Sequence, residues 1–128
     1  MNADGFFARY FAALDGPDPH SALELVSDKL EFVILFATSP DKRAGHFRGG
    51  PAELRAFTDA GDMDGWAHHI LSCSRNGNVE IAVGETRTDA GEVLGTFVCA
   101  AELDAEGRMA RYIVGRSPGA LFAAVRAD

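Results

Sequence analysis

From Trp66 to Ser117 the chain reads as four β-strands in succession, interrupted only at three turn signals. These are Asn76-Gly77, then Asp89-Ala90-Gly91, then Asp104-Ala105-Glu106-Gly107. Turn length sets register, and register decides which side chains share a sheet face. A two-residue turn on Asn76-Gly77 pairs Arg75 with Asn78, and counting outward puts His68 opposite Glu85 and Trp66 opposite Arg87. A three-residue loop with Gly91 left-handed sets Glu85 against Gly95, Val83 against Phe97 and Ile81 against Cys99. A four-residue loop over Asp104 to Gly107 pairs Cys99 with Tyr112 and Phe97 with Val114.

One face is thus expected to carry Trp66, His68, Ile70, Ile81, Val83, Glu85, Arg87, Phe97, Cys99, Tyr112, Val114 and Arg116. It holds the large aromatic residues and should lie beneath the helices. The other face would carry His69, Leu71, Cys73, Glu80, Ala82, Thr86, Thr96, Val98, Ala100, Glu102, Arg111 and Ile113. Its mixture of charge and small apolar groups suits solvent or a second subunit. Within it, Leu71, Ala82, Val98, Ala100 and Ile113 form a modest apolar patch, from which a homodimer through the outer sheet face is expected.

Helices come before the meander. Phe6, Phe7, Tyr10, Phe11 and Leu14 make one apolar helical stripe, ended by Asp15-Gly16-Pro17. Asp18 and Pro19 open a second helix, with Leu23 and Val26 turned inward. Leu30 to Ala37 is β-rich and unbroken, hence a strand, and Thr38 to Gly49 reads as a polar loop containing His46. Gly50-Pro51 begins a third helix with Leu54 and Phe57 inward and Gly61 at its end. After Ser117-Pro118-Gly119, the residues Leu121, Phe122 and Val125 form a short amphipathic tail, either packed on the sheet or serving as a lid. The order α-α-β-α-β-β-β-β predicts an α+β fold, with helices on one face of a curved antiparallel sheet.

At 128 residues the chain is expected to be one domain, 1–128. A net charge of −7 and scattered Lys and Arg argue against nucleic-acid partners. No apolar run is long enough to span a bilayer. Met1-Asn2-Ala3-Asp4 has no charged leader, and Cys73 and Cys99 form no CxxC, so a cytoplasmic protein with reduced thiols is expected. No cofactor is implied, because Gly49-Gly50-Pro51 lacks the spacing and the lysine of a phosphate-binding loop. No metal is expected either: adjacent strand residues His68 and His69 point to opposite sides. Asp59, Asp62 and Asp64 read as a solvated acidic connection.

His68 and Glu85 are the best polar candidates. On one face they would form a dyad in which the carboxylate fixes the imidazole tautomer for acid–base work. The alternative is a structural hydrogen bond between two half-buried groups. Arg87 and Arg116 would hold an anionic oxygen at the cavity mouth, or else pair with Glu85 and solvent. Cys99 reads as a small buried hydrophobe rather than a nucleophile.

Four segments carry a family resemblance: Arg9-Tyr10-Phe11-Ala12-Ala13-Leu14-Asp15 followed by Asp18; Gly50-Pro51-Ala52-Glu53-Leu54-Arg55-Ala56-Phe57; His68-His69-Ile70; and Asp104-Ala105-Glu106-Gly107-Arg108-Met109. In this order they resemble the nuclear transport factor 2-like superfamily, in its SnoaL-like polyketide cyclase and ketosteroid isomerase-like branches. The resemblance implies a cone-shaped half-barrel, cystatin-like in outline, with an apolar cavity between helices and sheet, and usually a dimer. Matched residue by residue, it puts the isomerase's helix-1 tyrosine on Tyr10, its base on Ile34 and its sheet acid on Cys99. Isoleucine cannot take a proton, so the ketosteroid isomerase mechanism is not expected.

The function expected is binding of an apolar or aromatic small molecule, possessing cofactor-free isomerase, cyclase or dehydratase chemistry on a carbonyl compound. His68 would be the acid–base group, Glu85 its orienting partner and Tyr10 the oxyanion donor. Phe32, Ile34, Trp66, Ile70, Val83, Arg87, Phe97, Cys99, Tyr112, Val114 and Arg116 would contact the ligand. The competing reading is a non-catalytic ligand-binding or dimerisation module in which these residues are structural.

Overall fold

The structure, a computed structural model, describes residues 5–36, 45–61 and 65–122. Helix α1 spans Phe6–Leu14, a 3₁₀ helix spans Pro19–Leu25, and strand β1 runs Val26–Phe36. Strand β2 is Gly45–Gly49 and helix α2 is Pro51–Ala60. The meander follows as β3 (Trp66–Asn76), β4 (Val79–Thr88), β5 (Val93–Leu103) and β6 (Met109–Pro118). The expected helix and strand order is present, with one addition. Gly45–Gly49, read from sequence as loop, pairs as a short edge strand with β1. Thr38 to Ala44, Asp62, Asp64 and Val125 lie outside the described residues.

One six-stranded sheet has the order β2-β1-β6-β5-β4-β3. It is mixed rather than purely antiparallel, because β1 lies parallel to β6, with Phe32 beside Tyr112 and Ile34 beside Val114. The helices cover one face, and the core between them includes Phe6, Phe7, Tyr10, Phe11, Phe32, Leu54, Phe97, Cys99 and Met109. The architecture is α+β.

Three bulges decide what faces inward. Near the first turn Asn76 pairs with Val79, so Gly77 and Asn78 are the central residues, one place later than expected. Leu71 is then an extra residue between Ile70 and Ser72, and His68 comes to pair with Thr86, while His69 pairs with Glu85. At the second turn the expected loop forms, with Gly91 at φ 92° and its N–H donating to the Thr88 carbonyl (2.8 Å). A shift between Thr86 and Arg87 then puts Glu85 against Thr96 and Val83 against Val98. At the third, a shift beyond Glu102 pairs Cys99 with Val114 and Phe97 with Arg116. That last shift is by two residues and preserves the face; the two in β3 and β4 do not.

The result corrects the face assignment of β4. Ile81, Val83, Glu85 and Arg87 lie on the outer face, whereas Glu80 and Ala82 are inside, each only 1% exposed. Outside, Leu35, Ile81, Val98 and Ile113 are exposed. The apolar outer patch therefore exists with changed membership, losing Ala82 and gaining Ile81 and Leu35.

Candidate functional site

Helix α1 ends where Asp15 takes its C-cap position, with Gly16 and Pro17 unable to prolong the helix. A carboxylate there sits against the negative end of the helix dipole and needs donors. His68 supplies both. Its backbone N–H donates to Asp15 Oδ2 (2.8 Å), and its ring Nδ1 lies 2.8 Å from Asp15 Oδ1. The other ring nitrogen, Nε2, is 3.1 Å from Nη2 of Arg116. A guanidinium can only donate, so Nε2 carries the lone pair and Nδ1 carries the proton that goes to Asp15.

The imidazole is enclosed by rings. Phe11 stacks on it at 4.3 Å, Trp66 lies at 5.2 Å and the edge of Phe97 at 5.5 Å. Burial pushes the His68 pKa below 6.5; the Asp15 hydrogen bond and charge oppose this, while Arg116 and His69 add to it. His68 is therefore a neutral base at neutral pH, oriented by a carboxylate. Arg116 packs its guanidinium over the ring of Phe36 (4.3 Å) and beside Trp66 (5.7 Å).

These groups border an enclosed cavity of about 40 Å³ between α1, α2 and the sheet. Of the residues expected from sequence to touch a ligand, Tyr10, Ile34, Trp66, His68, Tyr112, Val114 and Arg116 are on its wall. Phe11, Leu14, Phe36, Leu54, Phe57, Thr58 and Gly61 complete it. Two of the wall residues are tyrosines, Tyr10 and Tyr112, both buried. Burial raises both above the usual phenol value of 10.0, with the neighbouring Cys99 adding to the rise, so both are protonated donors. The volume admits about one water, at about 30 Å³ each, and is far below the roughly 300 Å³ of a typical ligand pocket.

The remaining expected contacts are elsewhere. Phe32, Phe97 and Cys99 are buried in the core, and Ile70 packs against it. Burial raises the Cys99 thiol well above 9.0, which suits an inert small hydrophobe. Val83, Glu85 and Arg87 are on the opposite side of the sheet from His68, and a His68–Glu85 dyad does not form. Glu85 is fully buried there, its Oε1 accepting from Arg87 Nε (3.0 Å) and Nη2 (2.9 Å).

A larger depression of about 820 Å³ lies on the outer face, along Val33, Ala100 and Ile113. Its charged groups are exposed, and among them Arg111 pairs with Glu31 (2.9 Å) and Glu102 (3.3 Å). The inner cavity, with its oriented base, is the stronger candidate. Among the described residues no group of three or more His, Cys, Asp or Glu could hold a metal ion. No described helix is long and apolar enough to cross a membrane.

The residue missed from sequence is Asp15, which read only as a helix stop. The signal was present, since it is a carboxylate at a helix C-terminus within the segment that carries the family resemblance.

No protein-family model and no curated protein sequence matches this chain. Solved structures do match. A proposed SnoaL-like isomerase from Agrobacterium tumefaciens superposes with a TM-score of 0.69 at 14% identity, covering 88% of this chain and 94% of that one. The chain has the SnoaL-like fold. IdmH, a proposed polyketide cyclase from Streptomyces antibioticus, shares it with a TM-score of 0.68 at 12% identity over 91% and 93% of the two chains. A proposed ketosteroid isomerase from Kribbella flavida does so at 0.61 and 14% identity, over 96% and 86%. The fold is the one that the sequence resemblance implied, helices on a curved sheet as in these SnoaL-like and ketosteroid isomerase-like neighbours. Within this fold, Tyr10 and Ile34 are on the cavity wall and Cys99 is not.

Proposed function

We propose that this SnoaL-like domain binds an apolar or aromatic carbonyl compound in the inner cavity and catalyses a cofactor-free proton transfer on it, as an isomerase, cyclase or dehydratase. The observation that carries the reading is the commitment of both His68 ring nitrogens. Nδ1 is fixed by Asp15, and Nε2, which bears the lone pair, meets Arg116 Nη2 at the wall of the cavity. In this scheme Arg116 turns away from Nε2 as substrate enters, Nε2 removes a proton next to the substrate carbonyl, and Asp15 stabilises the imidazolium that results. Tyr10, and Tyr112 beside it at 5.9 Å between ring centroids, donate to the oxyanion. Asp15 takes the orienting role first assigned to Glu85. The ketosteroid isomerase base has no counterpart, since Ile34 occupies its place.

The volume of about 40 Å³ favours a second reading, a non-catalytic binding or dimerisation module. Under the catalytic reading, α2 moves outward to admit substrate, because Leu54, Phe57 and Thr58 form that wall. A homodimer through the outer face belongs to both readings. So does a cytoplasmic setting, in keeping with two free thiols.

Native mass spectrometry of the purified chain tests the choice. A small molecule retained above the 13.6 kDa polypeptide, and lost in Tyr10→Ala, is expected. A bare polypeptide whose melting temperature no aromatic ketone shifts would leave the module reading.

A further inference from the structure

We propose that helix α2 is a hinged lid over the inner cavity, turning on Gly49 and Gly50 and latched shut by the His20–Asp59 pair. The inference rests on the cavity being a ligand site and names what opens it.

The two helices that cover the cavity are held differently. α1 buries Phe6, Phe7, Tyr10 and Phe11, and both its ends are bonded to the sheet, the first to Glu80 and the last, through Asp15, to His68. α2 buries only Leu54 among its ten residues. Phe57 rests on the rings of Phe36 (5.8 Å) and Phe47 (4.9 Å), an apolar contact with no fixed direction. An element with so little buried surface opens far more readily than the whole fold unfolds. Its share of the cavity wall is Leu54, Phe57, Thr58 and the capping Gly61, from the middle of the helix to its C-terminal end.

The N-terminal end has the make-up of a pivot. Gly49 stands at φ 148°, and a Cβ there would lie 2.5 Å from Cγ of Glu53, so only glycine fits. Gly50 follows, its N–H donating to Glu53 Oε1 (2.8 Å). Two successive glycines can absorb the backbone rotation that a swinging helix requires. At the far end, Asp59 Oδ1 meets Nε2 of His20 on the 3₁₀ helix. Both side chains are about half exposed, and a pair so placed shifts an opening equilibrium by only about two- to fivefold. A latch of that strength keeps the wall shut at rest and still releases it.

Trp66, the chain's one tryptophan, is buried on the same wall, so collisional quenching by acrylamide measures opening without any ligand. The full chain is compared with His20→Ala, Asp59→Asn, His20→Lys and Gly50→Ala. Quenching is expected to rise about two- to fivefold in His20→Ala and Asp59→Asn and to return to the wild-type value in His20→Lys, which keeps a donor for Asp59. It should fall in Gly50→Ala, which stiffens the pivot. In the two latch variants amide hydrogen exchange should quicken in α2 and stay unchanged in α1. Quenching that is the same in all five proteins, or exchange that quickens equally in α1, overturns the lid: the first leaves α2 fixed, and the second marks a general loosening. Acetophenone tests the ligand site separately. A calorimetric melting temperature that it shifts in none of these proteins counts against that site, while the Trp66 result still decides the lid.

Discussion

Asp15 and His68 are 53 positions apart, and each takes its meaning from the other. Alone, Asp15 is a helix terminator and His68 one of two adjacent histidines on a strand. Together they make an oriented neutral base, with Arg116 on its far nitrogen. The balance of forces on His68 can be measured. NMR of the ring across pH should give a midpoint below 6.5, because burial outweighs the pull of Asp15. Asp15→Asn should lower it further, and Arg116→Gln should raise it, since the Arg116 charge opposes protonation of His68. A midpoint at or above 6.5 in the wild type would contradict the enclosed geometry. The depressed value has a sign for stability too. The unfolded chain binds this proton more readily, so stability is full above pH 6.5 and falls as pH drops from there toward the folded value.

At the level of elements, α1 is tied to the sheet by a residue first read as solvent-facing. Its N-cap is Gly5, which has no side chain to offer. Glu80 of β4 takes that place, accepting from the N–H of Phe6 (3.0 Å) and of Phe7 (2.8 Å), and Arg75 adds a third hydrogen bond (3.0 Å). Burial alone would raise its pKa, yet these donors outweigh it and hold the carboxyl below 4.5. Its contribution is thus present above pH 4.5 and lost as pH falls through the folded value. Glu80→Ala leaves two buried helix N–H groups without acceptors, and urea unfolding should show a loss of about 2 to 4 kcal/mol. A loss under about 0.5 kcal/mol would mean that the cap contributes little. Glu80 was hidden in the sequence for the same reason that Glu85 was overrated. Turn residues announce themselves through composition, and all three turns lie where Asn, Asp and Gly place them, to within one residue. A bulge has no such mark: Leu71 looks like any other strand residue, yet one extra residue exchanges the faces of everything beyond it.

For the whole molecule, the outer sheet face is the open question. Leu35, Ile81, Val98 and Ile113 form two adjacent cross-strand rows, each roughly half exposed. A monomer seldom leaves such a contiguous patch in water. Light scattering should give twice the 13.6 kDa chain mass, and Ile113→Lys should return it to one chain without unfolding. A wild-type monomer at high concentration would remove the dimer from the proposal. Much of the architecture was legible beforehand: the α+β class, the amphipathic stripe of α1, the order of elements and the inward set Tyr10, Ile34, Trp66, His68, Tyr112, Val114 and Arg116. Those follow from local periodicity and turn chemistry, which act over a few residues and so are written in the sequence. The parallel pairing of β1 with β6, the inward turn of Glu80, the burial of Glu85 on the other face and the closure of Asp15 on His68 were settled only by the tertiary structure. Each depends on register summed across strands or on contacts between distant segments, where a one-residue offset changes the partner and local sequence carries no sign of it.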